Sequence, residues 1–442
     1  MNTNDLTTRL QEIFQDDYDA FEAALDQEPA HAFYLNPAKV NDTVRQTLAH
    51  KHLTPHPYVK DAYVYDDNGW RPGKSPYFLC GLYYIQEPAA MMTAESLPID
   101  PSDIVLDMCA APGGKSCRTA SRLSDNGLLI ANDIDPLRAK ILSGNVERFG
   151  LTNTIVTNVD PAKFPERFNG CFDKIMLDAP CSGEGMLRSK ALAEATWSPE
   201  KVDQCAAIQT RLIDTAVRLL KPGGLLMYAT CTYETKENED IIRYALSHHD
   251  LSPMPLEHHE GMDAGIDMPE AVRLYPHRFI GEGQFYCLLQ KNSGTEGTLK
   301  TAQPVIAKKE TRLVQDFYKS ALNVRMPQRL HVNKNHVYAW PNVSPDTKGL
   351  KVLRNGLYVG ELKKNRFEPS YALALSLGGE DAGLSYDFAE DDEALVQYIA
   401  GEALEARGGR GYGLITCDGL PLSFFKESNM IKNLFPKGLR RR

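Results

Sequence analysis

Ile104-Val-Leu-Asp-Met-Cys-Ala-Ala-Pro-Gly-Gly-Lys-Ser116 decides how the rest of this chain is read. An apolar run ends in Asp107, a loop of small residues follows, and Ala120 and Leu123 then recur at helical spacing. That is strand, tight turn and helix. Gly113 and Gly114 have no Cβ, so the backbone can approach a ligand and take positive φ. The free N–H groups of a helix start point into the same space. At the carboxyl end of a parallel strand, this is where α/β folds bind cofactors.

Two ligands suit such a loop. A phosphate loop reads G-x-x-x-x-G-K-[ST]. Gly114-Lys115-Ser116 matches its end, but Cys109 stands at its first glycine, and Ile175-Met-Leu-Asp178 resembles the strand and acid that hold magnesium in NTPases. A nucleoside site instead needs an acid after the second strand to take ribose hydroxyls. Leu128-Leu-Ile-Ala-Asn-Asp133 supplies one, 19 residues after Gly114. The nucleoside site is the better match, because it lacks none of its required residues.

Outward from this stretch, strand and helix alternate from Asp103 to Lys291. Strands are expected at 103–107, 128–134, 154–160, 172–178, 224–231 and 284–290, and helices near 115–123, 136–149, 200–220 and 235–247. Repeated βα units imply a mostly parallel sheet covered on both faces. The helix from Glu200 carries Val202, Cys205, Ala206, Gln209, Leu212, Ile213, Ala216 and Leu220 on one stripe, and Lys221-Pro-Gly-Gly224 reads as its stop. Pro88 suits the start of a helix rich in Ala and Met.

The 442 residues exceed one ordinary core. Residues 1–75 read as an N-terminal α+β accessory module: a helical pattern broken at Phe33-Tyr-Leu-Asn-Pro37, a short helix from Val40 to Leu48, then a small β segment. A catalytic domain is expected over 76–292, a polar linker over 292–304, a mixed module over 305–375, an acidic helix-like insert from Glu380 to Glu405, and a small β module within 385–442 ending in Arg440-Arg-Arg442. No apolar run approaches the ~18 residues of a membrane span, and the first residues do not resemble a signal peptide. Nine scattered cysteines without a CxxC pair suggest reduced thiols in a cytoplasmic protein and no metal site. Glu257, His258, His259 and Glu260 lack ligand spacing and read as solvated surface.

A net charge of −9 argues against a nucleic-acid partner, but its distribution reverses that. Residues 300–442 carry 22 Lys/Arg against 16 Asp/Glu, a balance of +6. Arg325, Arg329, Lys334, Lys348, Lys351, Arg354, Lys363, Lys364 and Arg366 are interleaved there with Tyr338, Trp340, Tyr358 and Phe367, as in surfaces that grip RNA; a solvated basic face fits equally.

Cys181, in Asp178-Ala-Pro-Cys-Ser-Gly-Glu-Gly185, and Cys231, in Ala229-Thr-Cys-Thr-Tyr233, fall at the ends of consecutive core strands. Both ends open onto the cofactor side, so two thiols and the Asp178 carboxylate should converge near the glycine loop. The alternative, two small core residues, suits one such cysteine better than two.

These segments, with Tyr84-Ile-Gln-Glu-Pro-Ala-Ala-Met-Met92, resemble the RNA 5-methylcytosine methyltransferases of the Nol/Nop/Sun family, and within it the bacterial RsmF-type 16S ribosomal RNA enzymes. The match spans about residues 80–290, and the C-terminal end looks PUA-like. The resemblance implies a Rossmann-like class I methyltransferase core, α/β with a mostly parallel sheet, flanked by an N-terminal α+β module and C-terminal β-rich and PUA-like RNA-binding modules. It implies S-adenosylmethionine as cofactor and RNA as partner; a monomer without membrane contact is expected. Carried over by position, the loop Cys109, Ala110, Ala111, Pro112, Gly113, Gly114 and Lys115 holds the methionine part of the cofactor, Asp133 the ribose, and Asp160 sits near the adenine. Asp178 lies between cofactor and target base, and Lys115 pairs with it or is only a loop-closing lysine. Cys231 is the family's nucleophile and Cys181 assists product release, although the residues alone do not rank the two thiols. Cys109 reads as packing rather than as a third catalyst. The rival classes are an idle RNA-binding assembly factor and the NTPase.

Overall fold

The computed structural model describes residues 3–66, 69–188 and 197–441. Ile104–Asp107 (β1), Leu128–Asn132 (β2), Thr154–Thr157 (β3), Phe172–Asp178 (β4) and Leu220–Thr230 (β5) form the parallel centre of a ten-stranded sheet. Parallel strands covered on both faces are near-continuous apolar runs, and Val105, Leu106, Leu129, Ile130, Ile155, Ile175 and Leu226 are fully buried. The spatial order is β5-β4-β1-β2-β3. The chain first steps from β1 to one side and then crosses back to β4 and β5. This reversal opens a crevice at the carboxyl end of β1.

The sheet continues beyond β5 in antiparallel fashion through Leu251–Met254 (β6), Met262–Gly265 (β7), Met268–Leu274 (β8) and Gln284–Lys291 (β9), with β9 paired to β5. The opposite edge is closed by Val352–Asn355 (β10), which pairs with β3. This strand comes from the stretch expected to form a separate mixed module.

Helices Thr3–Phe14 (α1), Tyr18–Leu25 (α2), Pro88–Glu95 (α3), Gly114–Ala120 (α4), Pro136–Arg148 (α5), Pro199–Leu219 (α6) and Glu239–His248 (α7) position the site. The Glu87 carboxylate caps α3 by accepting from Ala89 N and Ala90 N, with Pro88 at the first helical position. Ser198 and Pro199 do the same for α6. That helix buries Val202, Cys205, Ala206, Gln209, Ile213, Ala216 and Leu219, and it ends at Leu219, just before the expected stop. The chain enters β5 at Leu220, and Lys221–Gly224 form a bulge between Leu220, paired with Phe172, and Leu225, paired with Lys174.

His31–Leu35 is a strand, not just the end of a helical stretch. It pairs with Ala62–Tyr65 on one side and Tyr83–Ile85 on the other in a four-stranded N-terminal sheet. Its aromatic residues are buried, and Asn36 caps the short turn that ends it. In the C-terminal part, Glu380–Glu405 is likewise not one helix. It contains the strand Ser385–Phe388, a helix from Glu393 to Ala400 that ends at Gly401 with φ 104°, and a two-residue strand. The final five-stranded sheet shares its core with the N-terminal sheet, where Phe33, Tyr77 and Tyr83 meet Phe388, Ile415 and Phe425. Arg441 donates to the carbonyls of Lys74 and Gly73, which ties the basic tail to this junction; Arg442 lies outside the described residues. Among the described residues, no helix is long and apolar enough to cross a membrane.

Candidate active site

A cavity of about 840 Å³ opens at the carboxyl edge of the parallel strands. Its wall is built from Met108 and Cys109 after β1, Asp133, Ile134 and Arg138 after β2, and Asp160, Pro161 and Ala162 after β3. Asp178 to Gly183 and Met186 follow from β4, Cys231 from β5, and Lys201, Ile208, Arg211, Leu212 and Thr215 from α6. Thus Cys109, Asp133, Asp160, Asp178, Cys181 and Cys231, all singled out from the sequence, share one space.

The rest of the loop behaves differently. Ala110, Ala111, Pro112, Gly113, Gly114 and Lys115 are not on the cavity wall. Gly113 does take the left-handed conformation, φ 115°, but a Cβ there would meet Leu142 Cδ1 at 2.9 Å. A Cβ on Gly114 would meet the Gln86 amide at 2.9 Å. The glycines therefore let protein pack closely against the loop. The Gly114 carbonyl accepts from the Tyr34 hydroxyl at 2.6 Å. Asn132, which the sequence reading passed over, ties the strand ends together by donating to the carbonyls of Met108 and Val159.

Asp133 is buried, and its carboxylate accepts from Ala111 N at 3.3 Å and Asp135 N at 2.9 Å. Ser116 Oγ donates to Asp107 Oδ2 at 2.6 Å, while Asp107 Oδ1 has no partner. Burial first, with added repulsion from Asp178 and Asp133, pushes Asp107 up to about 7. Lys115 Nζ lies 2.8 Å from Asp178 Oδ2, so the two form the expected pair. Burial pulls the Lys115 ammonium down, but the Asp178 carboxylate outweighs that and raises it.

The two thiols meet: Cys181 Sγ and Cys231 Sγ are 3.1 Å apart, and Cys231 N donates to Cys181 Sγ at 3.4 Å. This contact, then burial, holds the Cys181 thiol well above its ordinary range. The loops approach because Gly185 N donates to the Cys231 carbonyl at 2.9 Å, where a Cβ on Gly185 would lie 2.7 Å from that oxygen. Burial also raises Cys109 strongly, which suits packing rather than reaction.

Sequence reading missed Arg138, Lys201 and Arg211 on the wall, and Ser182, Glu184, Gln209, Thr232 and Glu237 around the thiols. Gln209 carried a signal, being the one amide on the apolar stripe of α6. Of the basic C-terminal residues, several bond to other groups of the protein. Arg354 is buried against Glu147, Lys351 donates to Asn158, Arg329 to the carbonyls of Pro341 and Ala302, and Arg366 pairs with Glu368. Phe367 is buried, and Tyr338 packs on Tyr358. Arg325, Lys334, Lys348 and Lys364 are exposed. His259 stacks on Tyr58 at 4.4 Å, and among the described residues no side-chain cluster could hold a metal ion.

Asp133 and Asp160, which follow β2 and β3 on the cavity wall, with Asp178 at the end of β4, suit a ligand that brings ribose hydroxyls and a positive charge. Exposed Ile134 with Pro161 and Ala162 supplies apolar walls for a base. These features fit S-adenosylmethionine, and with the thiol pair they define the class: a Rossmann-like methyltransferase that uses S-adenosylmethionine. The model of the 16S rRNA methyltransferase RsmB/F family matches residues 94–290. Models of the RsmF N-terminal domain, first C-terminal domain and PUA domain match 3–88, 316–377 and 385–441. Ribosomal RNA small subunit methyltransferase F of Vibrio vulnificus (strain YJ016) is 29% identical over 447 residues, covering 96% of this chain and 94% of the relative. That of Aliivibrio fischeri (strain MJ11) is 30% identical, covering 84% and 81%. The solved structure of a methyltransferase homolog protein from Pyrococcus horikoshii superimposes with TM-score 0.57 at 30% identity, over 64% of this chain and 93% of that one. The chain belongs to the RsmB/F methyltransferase family and is built as its RsmF members are.

Proposed function

We propose that this enzyme methylates carbon 5 of cytosine in small-subunit (16S) ribosomal RNA, acting as a cytoplasmic monomer. In this reading residues 76–292 are the catalytic domain, 1–75 an accessory module, and 305–375 and 385–442 the RNA-binding modules. The relatives named for ribosomal RNA support the substrate, as does the PUA match. The observation that carries the chemistry is a pair of sulfurs 3.1 Å apart on the same cavity as a lysine-paired aspartate.

Carbon 5 of cytosine is a weak nucleophile. A thiolate that adds to carbon 6 turns the ring into an enamine and makes carbon 5 reactive. Cys231 is assigned this addition. Asp178, oriented by Lys115, carries a proton in this step, donates it in a hydrogen bond to ring nitrogen 3 and stabilises the negative charge that develops there. A base then takes the carbon 5 proton, the freed electron pair restores the 5,6 double bond as the bond from carbon 6 to Cys231 breaks, and Cys181 assists this release. The base is unstacked into the cavity to reach these groups. Cys109 to Lys115, Asp133, Asp160 and Asp178 would hold S-adenosylmethionine, which supplies the methyl group when bound.

Cys231→Ala is expected to abolish methyl transfer while cofactor binding persists; retained turnover would overturn the assignment. Cys181→Ala is expected to accumulate covalent enzyme–RNA adducts on denaturing gels, and absence of adduct removes its release role.

A further inference from the structure

Cys181 and Cys231 are the same residue type at equivalent strand ends, yet their surroundings differ. Ser182 follows the first and Thr232 the second. Ser182 Oγ lies 2.9 and 2.8 Å from the two oxygens of Glu184, 3.1 Å from Thr232 Oγ1, and in contact with Glu237 Oε1. Glu237 Oε2 accepts from Ser182 N at 3.1 Å and from Gln209 Nε2 at 2.8 Å. Glu184 also accepts from the Thr232 hydroxyl and the Trp197 indole N–H. All these side chains are buried.

The proton count is short by one. The Ser182 hydroxyl has a single proton but sits against two carboxyl groups. If it donates to one, the other must carry a proton of its own to donate to Ser182 Oγ. Two carboxyls that share a site do not both ionise, and burial raises both, Glu237 to about 7. The cluster thus holds one proton and one negative charge. Among the described residues, no cation forms an ion pair with either carboxyl; Lys201 Nζ donates to the Ser182 carbonyl at 3.0 Å. The Lys115 ammonium is paired with Asp178 at 2.8 Å, and Asp178 shares the cavity wall with Cys231. The thiols of Cys205 and Cys109 and the Tyr228 hydroxyl, which donates to the Glu237 carbonyl, complete the surroundings.

We propose that Glu184, Ser182 and Glu237 form a positioning cluster whose negative charge keeps the one proton of the thiol pair on Cys181 and leaves Cys231 as the thiolate. The Cys181 S–H then donates across 3.1 Å to the Cys231 sulfur. Reaching this state from two thiols releases one proton to solvent and moves no electrons. The functional consequence rests on the reading of Cys231 as nucleophile; the electrostatic assignment does not.

The test is the pH profile of iodoacetamide alkylation at Cys181, followed by peptide mass spectrometry in full-length protein carrying Cys231→Ser. Adding Glu184→Gln and Glu237→Gln together, which removes the cluster's one negative charge, is expected to lower the Cys181 midpoint by about 1 pH unit, within the range for loss of a neighbouring like charge. At a fixed pH below the midpoint that is about a tenfold faster reaction. Glu237→Gln alone leaves the charge on Glu184 and should hardly move the midpoint, so a shift as large as the double variant's overturns the count of one charge; Glu184→Ala with Glu237→Gln decides the matter if the double amide does not fold. An unchanged midpoint in a folded double variant overturns the proposal. With Cys231 intact, the double Gln variant should lower kcat with KM preserved, and restoring Glu237 alone should recover it; an unaltered kcat beside a shifted midpoint overturns the link to reactivity. If no RNA is methylated even by the unmodified chain, the cytosine reading fails while the alkylation profile still decides the cluster.

Discussion

Replacing Glu239 with Ala is expected to unfold the catalytic edge of the sheet at a much lower temperature. Glu239, at the start of α7, and Arg273, in β8, are 0% and 1% exposed at their side chains. The carboxylate accepts from Arg273 Nε at 2.7 Å, from Nη2 at 2.6 Å, and from Ile266 N at 2.9 Å. The Ala variant strands a guanidinium where water does not reach. Removing one partner of a buried ion pair costs about 3–5 kcal/mol, and the orphaned Ile266 N–H adds about 1 kcal/mol. Against a total stability of about 5–15 kcal/mol, and at about 2–4 °C per kcal/mol for a domain of this size, the melting temperature should fall by about 10–20 °C. Activity should fall too, because Arg273 Nη1 also holds the Tyr233 carbonyl at 2.9 Å, two residues beyond Cys231. A thermal melt followed by circular dichroism reads the first effect. Glu239→Met combined with Arg273→Met should recover most of the loss, since neither charge then needs a partner. A single variant melting within about 2 °C of the unmodified chain would refute this accounting, as would a double variant no better than the single one.

Asp107→Asn tests the buried acid behind the loop. Burial lifts this carboxyl from 3.8 to about 7, so between those values the folded state keeps a proton that the unfolded chain releases. Its contribution to stability is complete below the lower value and is lost as pH rises through the upper one. The variant should therefore show a flatter decline of melting temperature across that window, and parallel curves would count against the assignment. Arg9→Ala removes a forked contact from α1 to Glu234, at 2.9, 3.1 and 2.7 Å, three residues past Cys231. Because Arg9 is 35% exposed, a modest stability loss of about 1 kcal/mol is expected. Steady-state kinetics should show a lower kcat at similar KM; unaltered kinetics would mean that α1 does not position the loop. Gly113→Ala forces a Cβ to within 2.9 Å of Leu142 at a φ of 115°. It should cost about 1–3 kcal/mol, measurable by urea unfolding, and a neutral effect would show that the loop relaxes.

The central sheet was legible because strands covered on both sides need apolar residues at successive positions, so Val105, Leu106, Leu129 and Ile130 announce them in one dimension. A cap such as Pro88 is equally local. What stayed hidden depends on residues that meet only after folding. The dense glycine loop reads as a ligand cradle, and nothing in it reveals that Leu142 and Gln86 occupy the space beside Gly113 and Gly114. Val352–Asn355 carries no mark that it would leave its own module to pair with Thr154–Thr157. The basic residues around it could be counted, but not their partners, and Arg354 is spent on Glu147 inside the protein.

The thiol pair shows where this boundary lies. Two cysteines at the ends of neighbouring parallel strands must converge, so their location follows from the pattern. Their ranking does not, because both positions offer the same atom in the same place. The asymmetry is supplied from outside the two motifs. Glu237 reaches Ser182 from 55 residues away, and Asp178 draws Lys115 in from 63 residues earlier. As proposed, a negative charge beside one sulfur keeps a proton there and an ammonium favours the thiolate at the other, since each charge favours the protonation state opposite in sign to its own. A motif therefore names the chemistry, and the groups packed behind it decide which atom performs it.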